Sequence, residues 1–93
     1  MRVLIVADDQ LDLLDYYTLL QVADGASTDE IRAAFHQFAL RYHPDRHVDT
    51  GEFNILRAAQ IYRRGTEAYR VLCDPKLRRD YDEGLRHGRL RLE

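Results

Sequence analysis

The segment Arg41-Tyr-His-Pro-Asp-Arg-His47 gathers two imidazoles, a carboxylate and two guanidiniums around one proline. Three kinds of chemistry suit those groups. A metal site would take His43 and His47 as nitrogen ligands and Asp45 or Asp49 as oxygen ligands. Pro44, however, removes the helical scaffold that usually fixes such a pair, and no cysteine or further histidine lies close by in sequence. A catalytic site would take His43 as base and Asp45 as its orienter, yet the two are separated only by a rigid proline and no activated nucleophile or phosphate-binding loop accompanies them. Recognition explains the residue types best. Proline holds the loop at one angle, so His43 and Asp45 have little ordering entropy left to lose on binding. A carboxylate at the tip can accept a forked pair of hydrogen bonds from an arginine of a partner. His43 and Asp45 are also suited to tying the loop through backbone hydrogen bonds, as Asp does in turns, and tying is compatible with recognition. No metal ion or cofactor is expected.

The elements that must position this loop are legible on both sides of it. Ser27-Thr-Asp-Glu30 is a capping-box pattern and predicts a helix start. Apolar residues then recur at Ile31, Ala34, Phe35, Phe38, Ala39 and Tyr42, the three-and-four spacing that lines one face and leaves Arg32, His36, Gln37 and Arg41 to the other. Pro44 disfavours helical geometry at His43 and so ends the helix. A second long helix is predicted from about Phe53 to Leu72, with Leu56, Ala59, Tyr62, Thr66, Tyr69 and Leu72 near one face and Arg57, Arg63, Arg64 and Arg70 outward. Two long helices joined by a loop of about ten residues predict an antiparallel hairpin. Gly65 sits inside the second at a cost of roughly 1 kcal/mol relative to Ala, which close helix packing would explain. Asp74-Pro75 reads as an N-cap followed by proline at the first helical position, opening a short helix to about Glu83 that Gly84 would terminate. Asp15 to Val22 is a short apolar helix or turn suited to covering one end of the hairpin. The expected core is Phe35, Phe38, Tyr42, Tyr62, Tyr69 and Leu72, with Leu19, Leu20, Leu77 and Tyr81 closing its ends. Val3 to Ala7 has strand propensity but no clear second strand to pair with; an extended arm, a further helical turn and a strand added to another protein all fit residues 1–14.

Composition bounds the function. A chain of 93 residues has room for one small domain and little room for a large buried active site. Hydrophobic residues at 45% and charged ones at 32% describe a soluble folded domain rather than a disordered or membrane-spanning one. The longest apolar run, Val3 to Ala7, is far short of a membrane span and makes a poor secretory signal, which favours the cytoplasm. Cys73 is the only cysteine, so neither an intrachain disulfide nor a thiolate zinc site is available. The net charge of −2 divides unevenly, with −6 on residues 1–31 and +4 on residues 32–93, so an acidic partner would land on the second part.

From Asp15 to about residue 85 the sequence resembles a J-domain, the module of DnaJ-type cochaperones. The resemblance rests on Asp15-Tyr16-Tyr17 with Leu20 and Val22, on "DEIRAAFHQFALRYHPDRH", on "EAYRVLCDPKLRRDYD", and on the His-Pro-Asp tripeptide between the two long helices. It implies an all-α domain over residues 15–85 with four helices, the second and third forming the hairpin with His43, Pro44 and Asp45 at its tip. Residues 1–14 would be an N-terminal extension and 86–93 a C-terminal tail. It further implies a protein that is not itself an enzyme. Such a domain binds the ATP-bound form of the seventy-kilodalton heat-shock chaperone (DnaK-type) and stimulates ATP hydrolysis there. By that analogy Asp45 meets a partner arginine, His43 and Pro44 shape the tip, and Arg32, His36, Arg41 and Arg46 belong to the docking surface. The sequence departs from the family pattern in three ways. Ala33, His36 and Gln37 stand where Lys or Arg is common, and Gln21 stands where Gly is frequent. The segment from Arg46 to the third helix is also longer than in many relatives, reaching into Phe53-Asn-Ile-Leu56. With no Gly/Phe-rich linker, zinc-binding repeat or client-binding domain following, the chain is expected to be either an excised domain of a longer cochaperone or a minimal one. Two other readings compete: a J-like interaction module without stimulation, suggested by the thinned basic face, and a helical nucleic-acid-binding domain using Arg57, Arg63, Arg64, Arg70, Arg78 and Arg79, which the overall charge disfavours.

Overall fold

The structure, a computed structural model, describes residues 11–43, 45 and 52–92. Among them the chain forms four helices and no strand: α1 (Tyr16–Leu20), α2 (Thr28–Tyr42), α3 (Glu52–Leu72) and α4 (Pro75–Arg86). The expected all-helical architecture is therefore present. The question raised by Val3 to Ala7 lies outside the described residues.

Local chemistry sets the helix ends. Asp15 caps α1 by accepting from the Thr18 amide at 2.7 Å. The capping box of α2 is complete: Ser27 Oγ accepts from the Glu30 amide at 3.1 Å, and Glu30 Oε1 accepts from the Ser27 amide at 2.8 Å. At the other end His43 is extended, with ψ 131°, as the following proline requires. Asp74 Oδ1 accepts from the amides of Lys76 and Leu77 at 2.9 and 3.1 Å, with Pro75 in the first turn of α4. One expected end is corrected. Gly84 does not terminate α4, which continues to Arg86; the chain turns instead at Gly88, whose φ is +87°. A glycine inside a helix costs about 1 kcal/mol but does not end it where the buried face continues, and Leu85 packs against the core one residue later.

Ring contacts establish that α2 and α3 are antiparallel. Phe35 stacks on Tyr69 with centroids 4.4 Å apart, whereas His43, two turns further along α2, meets Tyr62 at 5.1 Å. Between these levels Phe38 lies over Gly65, where an added Cβ would fall 1.9 Å from the ring. Gly65 is thus required by the close approach of the two helices, and its helix-propensity cost is offset by the seating of Phe38.

The buried stripe of α3 is not the expected one. Ala58, Ile61, Ala68, Val71 and Leu72 are buried together with Gly65, while Leu56 is 58% exposed and Tyr62 and Tyr69 are half-buried at the margin. Small residues mark the seam because α2 and α1 approach the α3 backbone there, and the large rings reach over it from the side. Phe38, Tyr42, Leu72, Leu19, Leu20 and Tyr81 are buried as expected; Phe35 and Leu77 are partly buried against them. Tyr16 and Ile31, both 0% exposed, join the centre of the core. Arg64, expected outward, is instead tucked in, with a 13%-exposed side chain whose Nη2 donates to Asp12 at 2.8 Å.

The end of the hairpin away from the His-Pro-Asp loop is closed by tyrosines. Tyr16 stacks on Tyr81 at 4.2 Å, and Tyr81 Oη accepts from the Tyr16 amide at 2.8 Å. Tyr17 Oη donates to Asp82 at 2.5 Å and accepts from Arg78 Nε at 3.0 Å. Burial, and then the neighbouring carboxylates Glu67 and Asp82, push the Tyr16 and Tyr17 phenols up to about 12.

Candidate partner-binding site

The candidate site is built where α2 stops. Tyr42 is the last helical residue and is buried among the core aromatics, with its ring 4.9 Å from Phe38. That anchorage places His43 at the start of the loop with its ring edge-on to Tyr62, interplanar angle 67°. Nothing local in the sequence signals this contact, since Tyr62 is brought to His43 only by the antiparallel register.

His43 and Asp45 are joined through the backbone. The Asp45 amide donates to His43 Nδ1 at 3.2 Å, which requires the imidazole tautomer that leaves Nδ1 as acceptor. The Asp45 carboxylate stands 3.7 Å from the same nitrogen and its side chain is 87% exposed, against 45% for His43. A distance of 3.7 Å is too long for a hydrogen bond. The loop tie therefore uses the amide of Asp45 and leaves its carboxylate in solvent.

The remaining site residues line up along α2. Arg32, His36 and Arg41 are all exposed, with Ala33, Gln37 and the 46%-exposed Leu40 among them. Arg32 Nη1 contacts Asp29 at 3.3 Å, one turn back, in an exposed pair of the kind worth little to stability. Cationic groups thus occupy the two ends of this face, and its middle carries Ala33, His36 and Gln37. Pro44 and Arg46, also expected at the site, lie outside the described residues, as do His47 and Asp49 of the metal reading. Among the described residues no three His, Cys, Asp or Glu side chains gather into a metal-binding group, and no helix is long and apolar enough to cross a membrane.

Comparison with known proteins settles the family. The family model described as the DnaJ domain matches residues 15–82. The chain belongs to the DnaJ-domain family. Over its matching part it is 43% identical to the chaperone protein DnaJ of Borrelia garinii subsp. bavariensis, covering 73% of this chain and 17% of that one. It is 44% identical to the chaperone protein DnaJ of Clostridium beijerinckii, covering 74% and 17%. To the DnaJ homolog subfamily B member 5 of Mus musculus it is 41% identical, covering 80% and 21%. The chain thus spans about a fifth of the length of these relatives. No solved structure matches it. The matched range includes α2 and α3 as well as His43 and Asp45.

Proposed function

We propose that this J-domain acts as a cochaperone: it binds the ATP-bound form of a seventy-kilodalton, DnaK-type heat-shock chaperone and stimulates ATP hydrolysis there, the hydrolytic site belonging to the partner. The observation that carries the reading is the division of labour within Asp45. Its amide is engaged with His43 Nδ1 while its carboxylate is 87% exposed, so a charged acceptor is presented on a loop held by neighbouring groups. A partner guanidinium would find a forked acceptor there, with the exposed Arg32 and Arg41 of α2 facing an acidic surface, His36 between them, and Arg46, His43 and Pro44 completing the tip. Such a domain is not itself an enzyme and works without a cofactor. A soluble, cytoplasmic setting matches the proposed partner.

The test compares Asp45→Asn with wild type on one preparation. Loss of roughly 2 to 5 kcal/mol of interaction is the scale for removing one member of a desolvated charge pair, so stimulation of a DnaK-type ATPase should collapse while the melting temperature holds. A mutant that stimulates normally removes Asp45 from the mechanism; one that unfolds makes it a structural tie.

A second reading, an interaction module with little stimulating activity, is favoured by one observation: Ala33, His36 and Gln37 leave the middle of the docking face short of permanent positive charge. Single-turnover ATPase measurements with several DnaK-type chaperones separate the two, since the module would bind without accelerating hydrolysis. Nucleic-acid binding draws less support, because Arg64 and Arg78 are committed to Asp12, Tyr17 and the Asp24 carbonyl.

A further inference from the structure

We infer that residues 87–92 form a strap that clamps α1 onto α3 and α4, with the Arg91–Glu67 pair as its latch. The inference is independent of the cochaperone reading and concerns a segment beyond residue 82, where the family match ends.

The reversal is made at the end of α4. Gly88 adopts φ +87° and the Arg89 amide donates back to the Gly84 carbonyl at 3.0 Å, so the chain doubles back across its own helix. A left-handed φ of this kind strains any residue with a Cβ. The returning segment is then held at each step. Tyr81 Oη donates to the Leu90 carbonyl at 3.0 Å, and the Leu92 amide donates to Tyr16 Oη at 3.1 Å. Arg91 forks onto Glu67 of α3, with Nε at 2.8 Å from Oε2 and Nη2 at 2.5 Å from Oε1. Tyr16 Oη donates to the same carboxylate, and the Leu92 side chain packs against the core. One tyrosine hydroxyl therefore joins the strap to the start of α1, and the other joins the strap, α1 and α3 at one point.

The pair is more than a surface contact. The Glu67 side chain is only 14% exposed and that of Arg91 39%, and two parallel charge-assisted bonds in a partly dry site are the strong form of this interaction. Hydrogen bonding from Arg91 holds the Glu67 carboxyl below the usual carboxylate range, against the opposing effect of burial.

The element that depends on the clamp is α1. Five residues are far too few to hold a helix by backbone bonds alone, so α1 persists only while its side chains are seated. The strap supplies part of that seating through Tyr16, and α1 in turn packs on α2 and α3. Opening the latch should consequently loosen α1 before it loosens the hairpin.

Hydrogen exchange on the full chain tests this, comparing wild type, Arg91→Ala, Glu67→Gln and the double variant that carries both. The amides of Leu19, Gln21 and Val22, bonded to Asp15, Thr18 and Tyr17, should exchange roughly tenfold faster in Arg91→Ala, the scale of one strong charge-assisted pair. Amides at the centre of α2 and α3 should be unchanged, and the double variant should exchange more slowly than the product of the two single effects predicts, because the same pair is lost in all three. Unchanged α1 amides in Arg91→Ala would overturn the clamp. So would equal acceleration in α1 and the hairpin, which would mean only a global loss of stability. A double variant whose acceleration equals that product would overturn Arg91–Glu67 as the latch.

Discussion

The two ends of the α2–α3 hairpin treat polar groups in opposite ways. At the tyrosine end, Tyr16, Tyr17 and Tyr81 each place a hydroxyl among internal partners, and Glu67 receives both a phenol and a forked guanidinium. At the loop end, His43 is tied by one amide and the Asp45 carboxylate is left in water. The first arrangement follows from burial, because a polar atom removed from water costs free energy unless a partner replaces it. The second is tolerable only because the group remains hydrated. Internal polar bonding is thereby concentrated at one end of a domain too small to have stability in excess, and the proposed function would assign recognition to the other.

Substitutions can break or sharpen this contrast. The largest effect is expected in the seam that both ends share: Phe38→Ala removes a 4%-exposed ring from the core and should cost roughly 3 to 5 kcal/mol, enough to unfold most of the population. Circular dichroism melting would read this directly. Next comes Gly65→Ala. Helix propensity alone predicts a gain of about 1 kcal/mol, but the new methyl would collide with the Phe38 ring, so a loss of roughly 1 to 3 kcal/mol is expected from overpacking. A stabilised variant would mean that α2 and α3 are not pressed together at this level.

The tyrosine end should be revealed by alkali. Tyr16 and Tyr17 are pushed from 10.0 up to about 12 by burial, so folding favours their neutral forms. Their contribution is complete below the unfolded value near 10 and is lost as pH rises through about 12. Denaturant midpoints should therefore fall across that interval in wild type and fall less steeply in Tyr17→Phe. Gln21 offers a smaller effect of opposite sign. It holds φ at 59°, a conformation that costs a residue with a Cβ roughly 1 to 2 kcal/mol. Gln21→Gly should recover about 0.5 to 1 kcal/mol of this after the added flexibility of the unfolded chain is subtracted. The smallest change in stability belongs to the loop end, where Asp45→Asn should shift it by no more than about 0.5 kcal/mol, the range for an exposed site. A larger drop would erase the distinction between the two ends.

The helix boundaries were largely readable in the chain because they are set by neighbours in sequence. Ser27 with Glu30, Asp74 with Pro75, and Pro44 after His43 act within three residues, so their consequences do not wait on packing. The face of α3 was read less well. Its large side chains, Tyr62 and Tyr69, drew the predicted stripe toward themselves, whereas the true seam runs through Ala58, Ile61, Gly65 and Ala68, where small size permits close approach and gives a weak hydrophobic signal. Gly84 misled for a related reason: its local tendency to end a helix was outweighed by the continued burial around Leu85.

At the candidate site the end of α2 at His43 and the tie between His43 and Asp45 were suggested by residue types. The packing of His43 against Tyr62 was not, because it joins residues on different helices. The strap lay still further from view, since nothing within Arg89-Leu-Arg-Leu92 says that Arg91 will meet Glu67, 24 positions earlier. The amino-acid sequence by itself determined the all-helical class, the caps and the end of α2, which rest on short-range geometry and apolar periodicity, and its motifs determined the family. Only the tertiary structure decided which stripe of α3 is buried, which arginines are engaged internally and where the chain returns after α4. Those outcomes depend on how closely separate helices can approach, and on which distant polar groups must meet once that approach has removed them from water.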